Sequence, residues 1–449
     1  MTKAAIPDYM NKHLASQDIP PGHRFGLYFP IWKDEWKKAD QEKTVALKKA
    51  TSLTNSSQKL SAALYQRQRS IALQNDALGY FPAISTSPFM TGIGNEHPLE
   101  NGFAFLNPYG LPYLPGSSVK GVLRTAAEEL ALGLYAETEG WNMLSVWWLF
   151  GFDAGSAMLS QKKYNIDMLD EEAGCRRKAY QDWVAKGNYE HNSLEQFIKA
   201  TVVGRDQKKY LEHPQQFLNK LPDEISNQGG LRFWDVYPQS KHLAMDILTP
   251  HHGGYFQGKN TPHDSEQPVP NFFLTIPSGS EFHFYSTCET ASLPDALQEN
   301  WYVLLQSAFK YAFDWLGFGA KTAVGYGQMH SNVDAEQALA QEIEIREQQA
   351  IELVEQQAEE KRLAELPPIE RDIVEVLKAN KDPNKKEYLV LLNAVKMEKR
   401  WQDDDRHVVV ERIKAMMQQV GVWKETTNKK NPLKDKEFQN TQEVKKLLS

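Results

Sequence analysis

Cysteine is nearly missing from this chain. Cys175 and Cys288 are the only two in 449 residues, too few for a disulfide framework or a four-thiolate zinc site. Long apolar runs are missing as well. Leu144–Phe150 (LSVWWLF) is far too short to span a bilayer. The N-terminal MTKAAIPDYMNKHLASQDIPPG has no apolar stretch of the kind a secretory signal needs. These absences lead to the expectation of a reducing, cytoplasmic location. Positive charge is also in short supply: the formal net charge is −7, which argues against coating a nucleic acid through bulk charge. The deficit is spread along the chain, with 21 Lys and Arg against 24 Asp and Glu from Val333 to Ser449. Any anion site must therefore be local, built from a few cations and backbone N–H groups. No repeat of fixed period is present.

What the chain does have is enough for a folded protein, with 41% hydrophobic residues. The segment HRFGLYFPIW (His23 to Trp32) reads as a strand bounded by Pro-Pro-Gly. The polar stretch after it has apolar residues three and four apart, which predicts helix interrupted near Thr54–Ser57. Short strand-like pieces run from Phe89 to Leu114, followed by a helix from Ser118 to Leu132 and an apolar one near Trp141 to Phe150. Residues 160–227 are polar and lack a sheet pattern, so a mostly helical insertion is expected. Strand character returns in LRFWDVYP, HLAMDILTP and NFFLTIPSGSEFHFYSTC, the last alternating as a half-buried strand does. A helix from Pro294 to Trp315 leads into a glycine-rich loop and a final strand. Beyond Asp334 the composition turns to Glu, Gln and Ala. The expected organisation is thus a main domain over 1–333, an acidic helical linker over 334–368 ended by Pro367-Pro368, and a small helical module over 369–449.

Two stretches carry most of the chemistry. In LPYLPGSSVKGVLR, a Gly-Ser-Ser turn opens a helix whose Lys120 and Arg124 lie one turn apart. A nucleotidase phosphate loop would need a hydroxyl residue directly after its lysine, and Gly121 stands there instead. What remains is a helix start with free N–H groups, the hydroxyls of Ser117 and Ser118, and two cations, a set that suits a phosphodiester. The plainer alternative is that a serine merely caps the helix and both cations are solvated. In GFGAKTAVGYG (Gly317 to Gly327), four glycines and Lys321 could bring backbone close to a phosphate, or could simply make a tight helix-to-strand turn. A dinucleotide fingerprint is excluded, because the loop follows a helix and precedes a strand. Asp235, Asp246, His251 and His252 raise the idea of a metal or acid–base site. Adjacent histidines point to different sides of an extended chain, however, and no third ligand has metal spacing. His97 is another candidate base, with a shape-holding role as the alternative.

PYLPGSSVKGVLR followed by GFGAKTAVGYG resembles the RAMP proteins of CRISPR–Cas systems. HPLENGFAF, LFGFD, GLRFWDVYP, DILTPHHGGYF and PVPNFFLTIPSGSEFHF, in that order, are similar to the sixth RAMP subunit of type III-B (Cmr) effector complexes. The resemblance runs from about Arg24 to Val333. It implies an α+β fold with a ferredoxin-like, RRM-type β-α-β-β-α-β core, a helical insertion and a helical C-terminal extension. It further implies a non-catalytic, cofactor-free subunit at the 3′ end of a guide RNA in antiviral defence. The partners implied are guide RNA, target RNA, neighbouring RAMP subunits and the small helical subunit. Ser117, Ser118, Lys120 and Arg124, with Gly319, Lys321 and Thr322, then become the candidate RNA-backbone contacts. The rival is a metal-independent RAMP-type endoribonuclease that processes guide precursors, which would need His97, His251 or His283 beside the scissile phosphate.

Overall fold

The structure is a computed structural model that describes residues 2–75, 78–160, 171–187, 189–249, 258, 261, 270–382, 384–397, 401–427 and 432–449. It divides into two compact units, Met1–Glu342 and Ile343–Ser449.

The first unit begins with a correction. His23–Trp32 is not a strand: Pro21–Phe25 is a short helix and the chain then turns, with Trp32 making isolated antiparallel bridges to Lys3 and Lys38. Pro21 is pre-set for the first helical position. Phe25, Phe29 and Ile31 drop into the core from a helix and turn, so their bulk signals burial and not extension. After Lys43–Ala50 comes a helix, α1 (Asn55–Ala72), whose Thr54 side chain accepts from the Ser57 N–H as an N-cap.

Strand β1 (Leu78–Ser85) leads through short pairings to helix α2 (Gly116–Leu132). Strands β2 (Leu231–Phe233) and β3 (Glu281–Cys288), helix α3 (Asp295–Tyr311) and strand β4 (Met329–Ser331) complete the core. The sheet order is β4-β1-β3-β2 and every pairing is antiparallel. With α2 between β1 and β2 and α3 between β3 and β4, this is the expected ferredoxin-like core. Tyr80 opposes Tyr285 and Phe81 opposes Phe284 across β1 and β3, so alternate residues define two faces. Phe81, Phe282 and Phe284 form one face, and Phe81 stacks on Phe309 of α3 at 4.2 Å between ring centroids. The helical insertion shares this core: Trp147, fully buried on the helix Met143–Phe150, meets Phe152, Tyr180, Phe197 and Phe217.

The other sheet face carries Tyr80, His283 and Tyr285, all buried, and α1 lies over it. The Tyr65 ring sits 4.3 Å from that of His283, and Gln68 Nε2 donates to the Asp235 carbonyl at 2.7 Å. RRM modules stack bases on a bare sheet face; here that face is closed by α1.

Helix α4 (Val333–Glu365) carries the boundary between the units. Leu339 is buried and Glu342 pairs with Arg69 of α1 at 2.5 Å, while residues 344–358 are exposed throughout. In the second unit the helices Pro368–Lys378, Glu387–Met397, Asp403–Gln419 and Lys436–Leu448 bury Leu391, Val409, Val410, Ile413, Met417 and Val444. All its described elements are helical.

Candidate nucleic-acid interface

Helix α2 starts at Gly116, two residues earlier than its sequence pattern predicts, because its entrance is pinned to the chain just after β2. The Gly116 N–H donates to Asp235 Oδ1 at 2.8 Å. A Cβ at Gly116 would lie 2.3 Å from the Phe233 carbonyl oxygen, so only glycine allows this approach. Asp235 therefore serves as the anion on the first N–H of α2. Neither serine caps the helix through its side chain, and Ser117 and Ser118 are exposed. Lys120 is half-buried. Burial lowers its pKa, repulsion from Arg124 adds to that, and Asp153 partly offsets both. Among the described residues it has no ion-pair partner.

Arg124 is in the opposite situation. Its Nε donates to Glu128 at 3.0 Å, one Nη to Asp153 at 3.2 Å and the other to Ser156 at 2.5 Å, and Glu128 also pairs with Arg176 at 3.3 Å. Its side chain is 17% exposed. Arg124, Glu128, Asp153 and Arg176 line a cavity of about 290 Å³. The two cations one turn apart thus differ in kind, one committed to internal carboxylates and the other without an ion-pair partner among the described residues.

The glycine loop is anchored elsewhere, on the segment that follows β1. Ala320 N–H donates to the Met90 carbonyl at 2.8 Å, Gly327 N–H to Pro88 at 2.9 Å, and Phe318 N–H to Gly327 at 3.0 Å. Gly319 has φ +92°, and a Cβ there would meet the Met90 oxygen at 2.2 Å. Phe318 is fully buried against Phe284, Phe309 and Phe313, which fastens the loop to the core. Tyr326 is likewise fixed, its hydroxyl donating to Asp246 Oδ2 at 2.9 Å. The exposed apex is Lys321, a non-glycine residue held at φ +58°, followed by Thr322 in a single 3₁₀ turn. Lys321 also has no acidic partner among the described residues. The two candidate segments do not converge on one point: α2 enters beside the edge strand β2, and the glycine loop feeds the opposite edge strand, β4.

His97 and His283 are both tied into buried contacts. His97 stacks on Phe25 with centroids 3.7 Å apart, places Nε2 2.8 Å from the Phe25 carbonyl and accepts the Leu99 N–H at Nδ1. That pattern fixes the neutral ring with its proton on Nε2, and burial pushes the pKa down to about 4. His283 Nδ1 lies 2.8 Å from the Tyr80 hydroxyl, and burial together with Arg69 lowers its pKa to about 4. His251 and His252 lie outside the described residues. Among the described residues no group of three His, Cys, Asp or Glu side chains could hold a metal, and no helix is long and apolar enough to cross a membrane.

One surface residue beside the loop gives no sequence signal. Trp315 is 71% exposed just beyond α3, where a helical pattern reads most simply as core.

Comparison with known proteins gives a consistent result. The family profile of the RAMP superfamily matches residues 84–330. The CRISPR system Cmr subunit Cmr6 of Pyrococcus furiosus is 27% identical over 266 residues, covering 54% of this chain and 65% of that protein. The chain thus spans just under two thirds of that relative's length. Among solved structures, the crystal structure of Cmr6 from Pyrococcus furiosus matches with a TM-score of 0.26 and 21% identity, over 57% of this chain and 99% of that one. A chain of the type III-B Cmr-β complex bound to cognate target RNA matches with a TM-score of 0.35 and 15% identity, over 67% of this chain and 77% of the other.

Proposed function

The chain belongs to the RAMP superfamily, and from that premise we propose that it is a non-catalytic, guide-RNA-binding subunit of a type III-B CRISPR effector complex, at the 3′ end of the guide. The likeness to a Cmr6 supports membership of such a complex. The observation that carries the RNA reading is the state of Lys120, an ammonium partly removed from water, offset in part by Asp153 but with no ion-pair partner among the described residues. A docked phosphate relieves that cost. Lys321 supplies the second cation, with Gly319 and Thr322 offering backbone and hydroxyl. Ser117 and Ser118 flank Lys120, and Arg124 holds the shape of the helix beside it through its internal pairs. Phosphate contacts of this number agree with a chain of negative net charge, most of whose surface faces protein partners. The 334–449 extension acts in this reading as a docking arm.

Purifying the effector complex through this subunit and crosslinking it with ultraviolet light tests the reading. Crosslinks to guide RNA at 117–124 and 317–327 are expected. Protein partners without RNA at either segment would leave a protein-only scaffold. In the same complex, Lys120→Ala and Lys321→Ala are each expected to reduce the salt slope of RNA binding by about one unit without changing sequence preference. Arg124→Ala is expected to act differently. Removing it leaves Glu128 and Asp153 short of a partner, so the main effect is a loss of stability of about 2–3 kcal/mol, read by denaturant unfolding. A salt slope unchanged in both lysine variants would remove them from the RNA contact.

The absence of catalysis in this proposal is supported by the bonding of His97 and His283, whose rings already serve buried contacts. Incubating the purified chain with repeat-containing RNA tests the endoribonuclease alternative. Cleavage abolished by a single His→Ala change would overturn the non-catalytic assignment.

A further inference from the structure

We propose that Trp315 is a stacking platform for an unpaired base of the bound RNA, set beside the phosphate contact of Lys321. This inference rests on the RNA-binding reading above.

The argument starts from how the indole comes to be outside. Ala308 and Tyr311 of α3, and Ala312 directly after it, are buried. A continuing α-helix would place residue 315 one turn beyond 311 and 312, on that same buried side. The chain instead closes a π-helical turn over Ala312–Leu316, with Gly317 N–H donating to the Ala312 carbonyl at 2.8 Å. The wider turn puts residue 315 out of phase with the buried stripe while Phe313 stays in the core. Single π turns of this kind recur at functional sites. The result is a large apolar ring, 71% exposed, with no ring contact or hydrogen bond among the described residues.

The surroundings select the ligand. Two residues on, a Cβ at Gly317 would lie 3.2 Å from Thr322 Cγ2, so the chain leaving Trp315 packs directly against the turn that presents Lys321 and Thr322. Val324, 64% exposed, adds a second apolar surface on the same loop. An aromatic face next to an unmatched cation is the pairing that single-stranded nucleic acids meet, one contact for the base and one for the backbone. A protein partner would need a broad apolar patch, and the apolar surface identified here is one ring and one valine.

The test uses the assembled effector complex with a guide carrying 5-iodouridine. A photo-crosslink to Trp315 is expected. Trp315→Ala is expected to weaken RNA retention about fivefold to tenfold, with Trp315→Phe largely restoring it. The salt slope stays unchanged, since no charge is removed, whereas Lys321→Ala lowers it. Unchanged retention in Trp315→Ala, with a lowered slope in Lys321→Ala, overturns the stacking role and leaves RNA binding intact. Loss of a neighbouring subunit in Trp315→Ala, with guide contacts at Lys321 preserved, overturns it in favour of a protein contact. No crosslink at either segment, with no effect of Trp315→Ala, Lys120→Ala or Lys321→Ala, overturns the RNA reading and this inference together.

Discussion

Lowering the pH from 7 to 5 is expected to cost the first compact unit roughly 2 kcal/mol for each of His97 and His283. Both rings are held neutral with pKa values near 4, well below the ordinary histidine value of about 6.5. The unfolded chain therefore takes up protons that the folded chain refuses. Stability from these groups is complete above about pH 6.5 and falls as the pH drops toward 4, where each loss reaches about 3 kcal/mol. The causes are specific. Protonating His97 would turn Nδ1 into a donor facing the Leu99 N–H. Protonating His283 would put a charge under α1 near Arg69, with only the half-exposed Glu281 carboxylate, 3.5 Å from Nε2, to receive it. Glu129 works the other way, since burial raises its pKa and its protonation at lower pH favours the fold. Denaturant unfolding at several pH values checks this, with His283→Gln as the comparison. The variant keeps an acceptor for Tyr80 and is expected to be less stable at pH 7 but to lose less on acidification. An identical pH dependence in both proteins would remove His283 as a cause.

The parts of this fold that are legible in the sequence are those fixed by neighbours within a turn or two. The Pro-Gly-Ser-Ser entrance of α2, the alternation of β3 and the spacing of α3 all announce themselves locally. Residues 23–32 mislead because bulky aromatics serve a buried turn as well as a strand, and only the Pro21 start separates the two. Arg124 misleads for a different reason. Its partners Asp153 and Ser156 lie 29 and 32 residues away, beyond the reach of any local pattern, so its charge reads as free. The cover of α1 over the second sheet face is equally non-local, resting on pairs such as Gln68 with Asp235, 167 residues apart. Trp315 is hidden by a break in the very periodicity used to find the helix. The candidate site was thus readable as residue types and spacing, while the distinction between free and committed cations required the tertiary contacts.

Gly327→Ala is expected to destabilise the first unit by about 3–4 kcal/mol, and the comparison with its loop neighbours separates shape from ligand contact. Gly327 sits at φ +71°, and a Cβ there would fall 1.8 Å from the Phe318 carbonyl oxygen. Relieving that overlap pulls on the Phe318–Gly327 hydrogen bond and on the bond from Gly327 to Pro88, two of the ties that hold the loop in place. Unfolding measurements should therefore register the change before any RNA is added. Gly325 provides the contrast. It is also left-handed, at φ +94°, but nothing lies within 4 Å of the added atom. Gly325→Ala should cost only about 1–2 kcal/mol from the conformation itself. If the backbone of this loop approaches a phosphate, Gly325→Ala weakens guide-RNA retention out of proportion to that small loss of stability. If the glycines serve only the turn, Gly325→Ala retains RNA normally and Gly327→Ala fails in proportion to its unfolding. A Gly327→Ala protein as stable as the parent would show that the loop can move away from Phe318, and the rigid cradle assumed for Lys321 would then be wrong.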